Sequence, residues 1–159
     1  MKKRKLIQAV VDQLRADLQL YHRAAIAARA EATHEQSKAE NKYDTRGLEA
    51  SYLARGQSRQ VAEIEVAIEK FQKLDPREFT SGEPIDVGAV VELTSGKEKN
   101  FYFIGPRAGG TEIGFEKREV LVITPESPLG SQLIGKKLGE KHQLEIGGQK
   151  QELTISAVW

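Results

Sequence analysis

The chain has 159 residues and a nearly balanced charge, with 24 Lys and Arg against 23 Asp and Glu. This balance gives no global electrostatic argument for binding to nucleic acid or to a membrane. Because the chain contains no Cys, disulfides, thiolate zinc sites and thiol nucleophiles are excluded. Gln8 and Asp12 interrupt the apolar run near the start, so we expect no signal peptide and no membrane span, and we predict a cytoplasmic protein.

The composition of the chain changes near residue 80. Residues 1–79 hold two of the 14 glycines and one of the five prolines, and residues 80–159 hold the others. Alanine is concentrated in the first half, and Val, Ile and Thr in the second. This shift predicts an α+β protein with a helical domain over residues 1–76 and a β-rich domain over residues 80–159.

The first half carries two apolar seams in 4-3 steps, a spacing typical of helices that pack along one side. Pairing their bulky ends predicts an antiparallel hairpin with helices near residues 6–36 and 48–74 and a polar tip at residues 37–47. A dimerising coiled coil is the alternative, since a seam does not fix its partner. The first seam is Ile7, Val11, Leu14, Leu18, Tyr21, Ala25, Ala28 and Ala32, and the second is Ala50, Ala54, Gln57, Val61, Ile64, Ile68 and Phe71.

Both seams change from Ile, Val, Leu and Phe at the base of the hairpin to Ala toward its tip. Because Ala buries little apolar area, we expect the far end of the hairpin to be thinner and less stable than its base. A long arm of this kind is suited to reaching into a partner. The basic start, Lys2, Lys3, Arg4 and Lys5, has the usual character of a solvated chain end. Because it opposes the helix dipole, an RNA contact is the alternative role for these residues.

The second half reads as short strands with turn signals between them, which predicts an antiparallel sheet. One short helix interrupts it: Ser127 is an N-cap, Pro128 fits the first helical position, and Gly135 ends the helix with positive φ. Leu129 and Leu133 then share the face that packs on the core. The strands are predicted within VGAVVELTS (87–95), NFYFIG (100–105), EIGFE, EVLVIT and HQLEIGGQKQELTISAVW.

Motifs that would give the chain its own catalytic site are missing. His34-Glu35 begins like the zinc-protease motif HExxH, but no second His follows at the required spacing. Gly109-Gly110 and Gly135-Lys136 lack the spacing of a phosphate-binding P-loop. The sequence likewise suggests no Ser/His/Asp set.

The segment S-P-L-G-x-x-L-x-G-K-x-x-G, from Ser127 to Gly139, resembles the C-terminal signature of the GreA/GreB transcript-cleavage factors. The resemblance implies a coiled-coil hairpin followed by an FKBP-like domain, and an accessory factor that is not itself an enzyme. It implies docking to bacterial RNA polymerase, with the hairpin entering the secondary channel. We expect polymerase contacts from Ser127, Pro128, Leu129, Gly130, Lys136 and Lys137.

In that family the hairpin tip carries a D-x-x-E-N pattern followed by Tyr, whose carboxylates help hold the polymerase's second Mg²⁺. Glu40-Asn41 and Tyr43 resemble this pattern, but Ser37 then stands at the Asp position; in the register that uses Asp44 as the Asp, Gly47 replaces the Glu. The resemblance therefore implies Glu40 and Asp44 as carboxylates shared with the polymerase Mg²⁺. Asn41, Tyr43, Gly47 and Glu49 complete the expected tip, and no cofactor is expected to bind to the factor alone.

Three alternatives stay open. The tip charges can simply solvate a turn. The protein can occupy the secondary channel as an inhibitor without stimulating cleavage, a version slightly favoured because one family carboxylate is missing in either register. An FKBP-type peptidyl-prolyl isomerase ranks lower, because Phe101, Tyr102 and Phe103 alternate between the faces of a strand and cannot line one proline pocket.

Overall fold

A computed structural model of the protein describes residues 1–34, 40 and 45–159. Two long helices, α1 (Lys3–Thr33) and α2 (Arg46–Gln72), precede all the strands. The helices were predicted at residues 6–36 and 48–74. The strands are β1 (Val90–Ser95), β2 (Glu98–Ile104), β3 (Glu112–Phe115), β4 (Arg118–Ile123), β5 (Lys141–Ile146) and β6 (Gln149–Val158), with α3 (Pro128–Leu133) between β4 and β5.

The six strands form one sheet in the order β3-β4-β2-β1-β6-β5, so the predicted α+β class is confirmed. The sheet is mostly antiparallel, as predicted, and one pair departs from this pattern, because β2 and β4 run parallel. The reason lies in the hairpin of β3 and β4, which turns at Glu116 and Lys117, both with positive φ. The hairpin joins the sheet through its second strand, β4, and not through β3. β4 therefore lies beside β2 and runs in the same direction.

The chain forms two compact units whose limits cut through both long helices. The sheet unit comprises Met1–Val11 and Glu69–Trp159, and the hairpin unit comprises Asp12–Ile68. These limits differ from the predicted division into residues 1–76 and 80–159. That division stays a prediction about which parts fold independently.

Both faces of the sheet are buried within the sheet unit. One face joins α3 in a core cluster that includes Val91, Leu93, Ile104, Leu133 and Ile155. On the other face, the rings of Phe71 and Phe103 lie 5.8 Å apart, and both side chains are fully buried. Gly105 allows this approach, since a Cβ there would come within 2.7 Å of the Phe71 ring.

The N-terminus of α1 is fixed to the segment that precedes the sheet. Lys3 is only 2% exposed, its Nζ donates to the carbonyl oxygen of Arg77, and it lies 4.7 Å from the centre of the Phe79 ring. Burial lowers the pKa of Lys3 to about 8. Lys3 is therefore not available for the RNA contact predicted for the basic start, whereas Lys2, Arg4 and Lys5 are exposed.

The two helices of the hairpin unit run antiparallel, as predicted. Arg29 Nη2 of α1 donates to Ser58 Oγ of α2 at 3.1 Å. Thr33, four residues after Arg29, lines the same cleft as Ser51, which is seven residues before Ser58. Numbers thus rise along one helix as they fall along the other. This pairing within one chain replaces the dimeric coiled coil considered as an alternative. None of the helices in the described ranges has the length and apolar character needed to cross a bilayer.

The core of the hairpin unit is smaller than predicted. Leu14 and Ile64 are buried as expected, but Leu18, Val61 and Ile68 are only half-buried. A layer of two helices buries only the side chains between them, so residues at the margin of the seam keep one side in solvent. The other side chains that are buried in the described part of this unit are small: Ala25, Ala28, Ala54 and Ala67.

Candidate functional site

The Ser-Pro segment forms the predicted helix start. Ser127 has extended backbone angles (φ −66°, ψ 155°), its Oγ accepts from the backbone N–H of Gly130 at 3.1 Å, and its hydroxyl donates to the carbonyl of Thr124 at 2.7 Å. Pro128 occupies the first helical position, where a missing N–H costs nothing. Gly135 leaves the helix with a φ of 82°. The local prediction is confirmed.

Gly130 is required by a close approach of two backbone segments. A Cβ at this position would lie 1.9 Å from the carbonyl oxygen of Thr124, a distance that no side chain tolerates. Leu129 and Leu133 are buried in the core cluster. Much of the motif therefore serves to build α3 and hold it on the sheet.

Two polar contacts attach α3 to the edge strand β5. Gln132 Nε2 donates to the carbonyl oxygen of Glu145 at 3.1 Å, and the backbone N–H of Glu145 donates to Gln132 Oε1 at 2.8 Å. The Gln132 amide thus accepts from and donates to the backbone of Glu145, as a neighbouring strand would. α3 is therefore attached at its start through Ser127 and at its side through Gln132. Sequence reasoning missed Gln132, because the pairing joins residues distant in the chain.

The exposed residues of the motif are of mixed character. Pro128, Ser131 and Lys137 are exposed, and Leu138 is an exposed large apolar residue. Ser127 and Lys136 are half-buried. Of the six residues predicted to contact polymerase, Leu129 and Gly130 are buried. They can affect such a contact only by supporting the exposed residues of the motif.

Lys136 belongs to a chain of three polar side chains beside α3. Its Nζ lies 3.3 Å from His142 Nδ1, and His142 Nε2 lies 2.7 Å from Glu140 Oε2. The Nε2–H tautomer satisfies this pattern, with Lys136 donating to Nδ1 and Nε2–H donating to the carboxylate. The bond from His142 lowers the pKa of Glu140. Glu140 immediately precedes β5 and His142 lies within it, but no local signal indicates the contact of His142 with Lys136.

The predicted tip lies mostly outside the described residues. Asn41, Tyr43 and Asp44 are outside them, whereas Glu40 and Glu49 are described and exposed, and Gly47 is half-buried. Among residues 1–34, 40 and 45–159, no three acidic or histidine side chains are grouped so that they could hold a metal ion.

Glu49 has a structural task at the start of α2. Its Oε1 accepts from the hydroxyl of Thr45 at 2.9 Å, and its backbone N–H donates to the carbonyl of Thr45 at 2.8 Å. A carboxylate in the first turn also interacts favourably with the positive end of the helix dipole. These contacts account for an acidic residue at this position without a metal.

Comparison with known proteins identifies the second half of the chain. Residues 80–159 match the family model described as Transcription elongation factor, GreA/GreB, C-term. The chain belongs to the GreA/GreB family. The resemblance carried by the Ser127–Gly139 motif is thus confirmed at the level of the family.

Two curated relatives from Treponema pallidum, one of them from the Nichols strain, carry the name transcription elongation factor GreA. Each is 29% identical to this chain over 101 residues, which is 62% of this chain and 57% of the relative. The match thus spans less than two thirds of the relatives' length.

Solved structures of GreA factor homolog 1 (Gfh1) also resemble the chain. The Thermus thermophilus protein is 22% identical with a TM-score of 0.39, and the likeness covers 94% of both chains. The Thermus aquaticus protein has the same identity and TM-score, covering 99% of this chain and 94% of that chain. At these values neither likeness carries an argument about function.

The positions of the three consecutive aromatic residues of β2 bear on the isomerase alternative. Tyr102 and Phe103 are both buried, and Tyr102 joins the α3-side core cluster while Phe103 packs on Phe71 across the sheet. The ring centres of Phe101 and Trp159 lie 6.4 Å apart, and Phe101 is half-buried. The three consecutive aromatic side chains thus form no common proline pocket.

Proposed function

We propose that this protein binds bacterial RNA polymerase and regulates transcript elongation through the secondary channel. The match of residues 80–159 to the GreA/GreB model is the observation that carries this proposal. The factor acts on the polymerase active site and is not itself an enzyme. It binds no cofactor of its own, works in the cytoplasm, and can contact RNA through Lys2, Arg4 and Lys5, which are exposed.

The docking surface is the exposed side of the motif, centred on Pro128, Lys137 and Leu138. Its exposed residues include two apolar side chains and a cation, so we expect the matching polymerase surface to offer apolar and acidic side chains. The rigid attachment of α3 supports this role, because a surface already ordered before binding loses little entropy when it docks. Lys136, held by His142, adds a second cation at the margin.

Docking is tested by co-elution of the purified protein with bacterial core RNA polymerase. Replacing Lys137 with Glu and Leu138 with Asp together is expected to weaken binding by roughly tenfold or more, the loss of about 1.4 kcal/mol or more. Lys97→Glu, in the exposed turn between β1 and β2, is the matched charge control and should bind as the unmodified protein does. Equal binding by all three proteins would refute this docking surface.

The tip is proposed to act through Glu40 and Asp44. Mg²⁺ prefers hard oxygen ligands and retains several waters, so one or two carboxylates from the factor can strengthen the polymerase's hold on its second ion. Because one family carboxylate is missing in either register, we propose a regulator with weak or no stimulation of cleavage.

The tip proposal is tested in stalled, backtracked polymerase complexes. Weak cleavage by the unmodified protein should fall in Glu40→Gln and Asp44→Asn while polymerase affinity is kept, and added Mg²⁺ should partly restore it. The inhibitory version instead shows no cleavage at any Mg²⁺ concentration, slows synthesis, and loses this effect when both helices are shortened by one heptad. Strong cleavage that depends on either carboxylate would overturn the choice of a weak regulator.

A further inference from the structure

A cleft of about 360 Å³ lies between α1 and α2 inside the hairpin unit. Two arginines and three hydroxyl side chains contribute to its walls. No carboxylate lines it among the residues that the structure describes. The lining residues are Arg29, Thr33, Ser51, Ala54, Arg55 and Ser58.

The contacts in the cleft leave donors available to a ligand. Arg29 uses one guanidinium N–H on Ser58 Oγ, and a guanidinium carries five N–H donors. Since Ser58 accepts that bond, its own hydroxyl hydrogen can be donated elsewhere. Thr33 donates to the carbonyl of Arg29 at 3.0 Å and therefore contributes only acceptor capacity and shape.

The second arginine is held at the same cleft by an aromatic side chain. Arg55 Cζ lies 5.8 Å from the centre of the Tyr52 ring, on the same helix. This contact is weak at an exposed site, but it limits the orientations of the guanidinium without using its N–H donors. The cleft thus presents forked donors from both helices, an arrangement that suits the oxygens of phosphate groups.

We propose that this cleft binds a small, multiply charged phosphate compound, of the class of inorganic pyrophosphate or the polyphosphate group of a nucleotide. Linked phosphates carry several negative charges and enough oxygens to accept from Arg29 and Arg55 together, which a single monovalent anion does not. The volume admits a group of this size but not a folded macromolecule. The inference concerns the isolated protein and does not depend on the proposed role at RNA polymerase.

Such a ligand would join the two helices where their shared core consists of small residues. Among the side chains described in this part of the hairpin, Ala25, Ala28 and Ala54 are the buried ones. A ligand that binds only the folded hairpin raises its stability by an amount that grows with concentration above the dissociation constant. Phosphate compounds would thereby stabilise the hairpin increasingly, with the logarithm of their concentration once it exceeds the dissociation constant.

The probe is inorganic pyrophosphate, added to the full-length protein at low ionic strength and followed by calorimetry and thermal unfolding. We expect saturable binding and a rise in Tm that sodium chloride at equal ionic strength does not produce. Arg29→Ala and Arg55→Ala should each weaken binding by roughly tenfold, because each removes charge-assisted hydrogen bonds. Arg59→Ala, an exposed arginine of α2 outside the cleft, should bind as before.

Arg55→Lys keeps the charge but removes the planar fork, and we expect its affinity to lie between those of the unmodified protein and Arg55→Ala. Circular dichroism of each variant without ligand shows whether its helices are intact; if an alanine variant is not folded, Arg55→Lys and Arg59→Ala decide the result. The proposal is overturned if pyrophosphate causes no specific shift or if Arg55→Lys binds no more weakly than Arg59→Ala. It is equally overturned if a single-stranded oligonucleotide uses the same arginines with higher affinity than pyrophosphate.

Discussion

The sheet unit and the hairpin unit bury different kinds of side chain. Large residues such as Phe71, Phe103 and Leu133 are fully buried in the sheet unit, whereas the hairpin unit buries mainly alanines with Leu14 and Ile64. Of the eight exposed large apolar residues in the described part of the chain, seven belong to the hairpin unit. They are Leu20, Tyr21, Ile26, Leu48, Tyr52, Leu53 and Val66, and the eighth is Leu138.

This difference in buried side chains predicts that the sheet unit is more stable than the hairpin unit. Apolar burial contributes roughly 25 cal/mol per Å², so the unit with the larger buried side chains gains more from folding. Segments with few buried apolar contacts open locally at lower free energy than the global unfolding of the protein. The sheet unit is therefore expected to anchor the fold, and the hairpin unit to remain the part that opens first.

The largest effect is expected when a large side chain is removed from the sheet unit. Phe71→Ala should lower the free energy of unfolding by about 3–5 kcal/mol, because it deletes a fully buried ring that packs on Phe103. Tyr52→Ala, on the same helix but 60% exposed, should change it by less than about 0.5 kcal/mol. Urea unfolding followed by circular dichroism measures both, and similar losses in the two variants would contradict the comparison.

A second pair of variants examines the hairpin unit alone. Leu14 is 2% exposed and Leu20 is 65% exposed, and both lie on α1. Leu14→Ala should cost about 2–5 kcal/mol, while Leu20→Ala should stay within about 0.5 kcal/mol, as measured by urea unfolding. If Leu20→Ala proved the costlier change, the orientation of α1 in the hairpin would be wrong.

A third pair compares two glycines of the sheet unit. Gly130→Ala should destabilise the protein by about 1–3 kcal/mol or more, since its Cβ would collide with the backbone of Thr124. Gly114→Ala, on the edge strand β3, meets no atom within 4 Å and should be nearly neutral. Thermal unfolding gives both values. A neutral Gly130→Ala would mean that the glycine of the motif serves a partner and not the fold.

The smallest effect is the pH dependence that Lys3 contributes to the sheet unit. Its pKa is lowered to about 8 by burial, so above that pH the unfolded chain holds a proton that the folded chain has released. The free energy of unfolding should therefore rise with pH between about 8 and 9.5, by at most about 1.4 kcal/mol per pH unit. Lys3→Met should lack this rise when both proteins are unfolded in urea at each pH. An unchanged slope in Lys3→Met would assign the rise to other groups.

Local signals in the sequence were enough to predict the motif helix. The N-cap of Ser127, the first-turn position of Pro128 and the positive φ of Gly135 depend on neighbouring residues, and each was found where it was expected. The 4-3 seams likewise predicted two antiparallel helices. Leu18 shows the limit of that reasoning, because spacing tells which side a residue faces but not whether a second layer covers it.

Features that join distant parts of the chain could not be predicted. The parallel pairing of β2 with β4 depends on which side of the sheet the β3–β4 hairpin joins, and no residue pattern specifies that choice. The contact of Lys136 with His142 and the burial of Lys3 beside Phe79 arise in the same way. The metal role of Glu40 and Asp44 stays a prediction, and Asp44 lies outside the described residues.

The position of β1 in the sheet has a consequence for how the protein folds during synthesis. β1 pairs on one side with β2, its neighbour in sequence, and on the other with β6, more than fifty residues later. Trp159 exchanges two backbone hydrogen bonds with Val90, so the centre of the sheet closes only when residue 159 is in place. Pairings of long sequence separation form slowly, because the chain must first lose the entropy of the intervening loop. The helices of the hairpin unit, with their local contacts, can form on the ribosome while one edge of β1 is still unpaired. Until β6 pairs with it, that free edge is open to pairing with another chain.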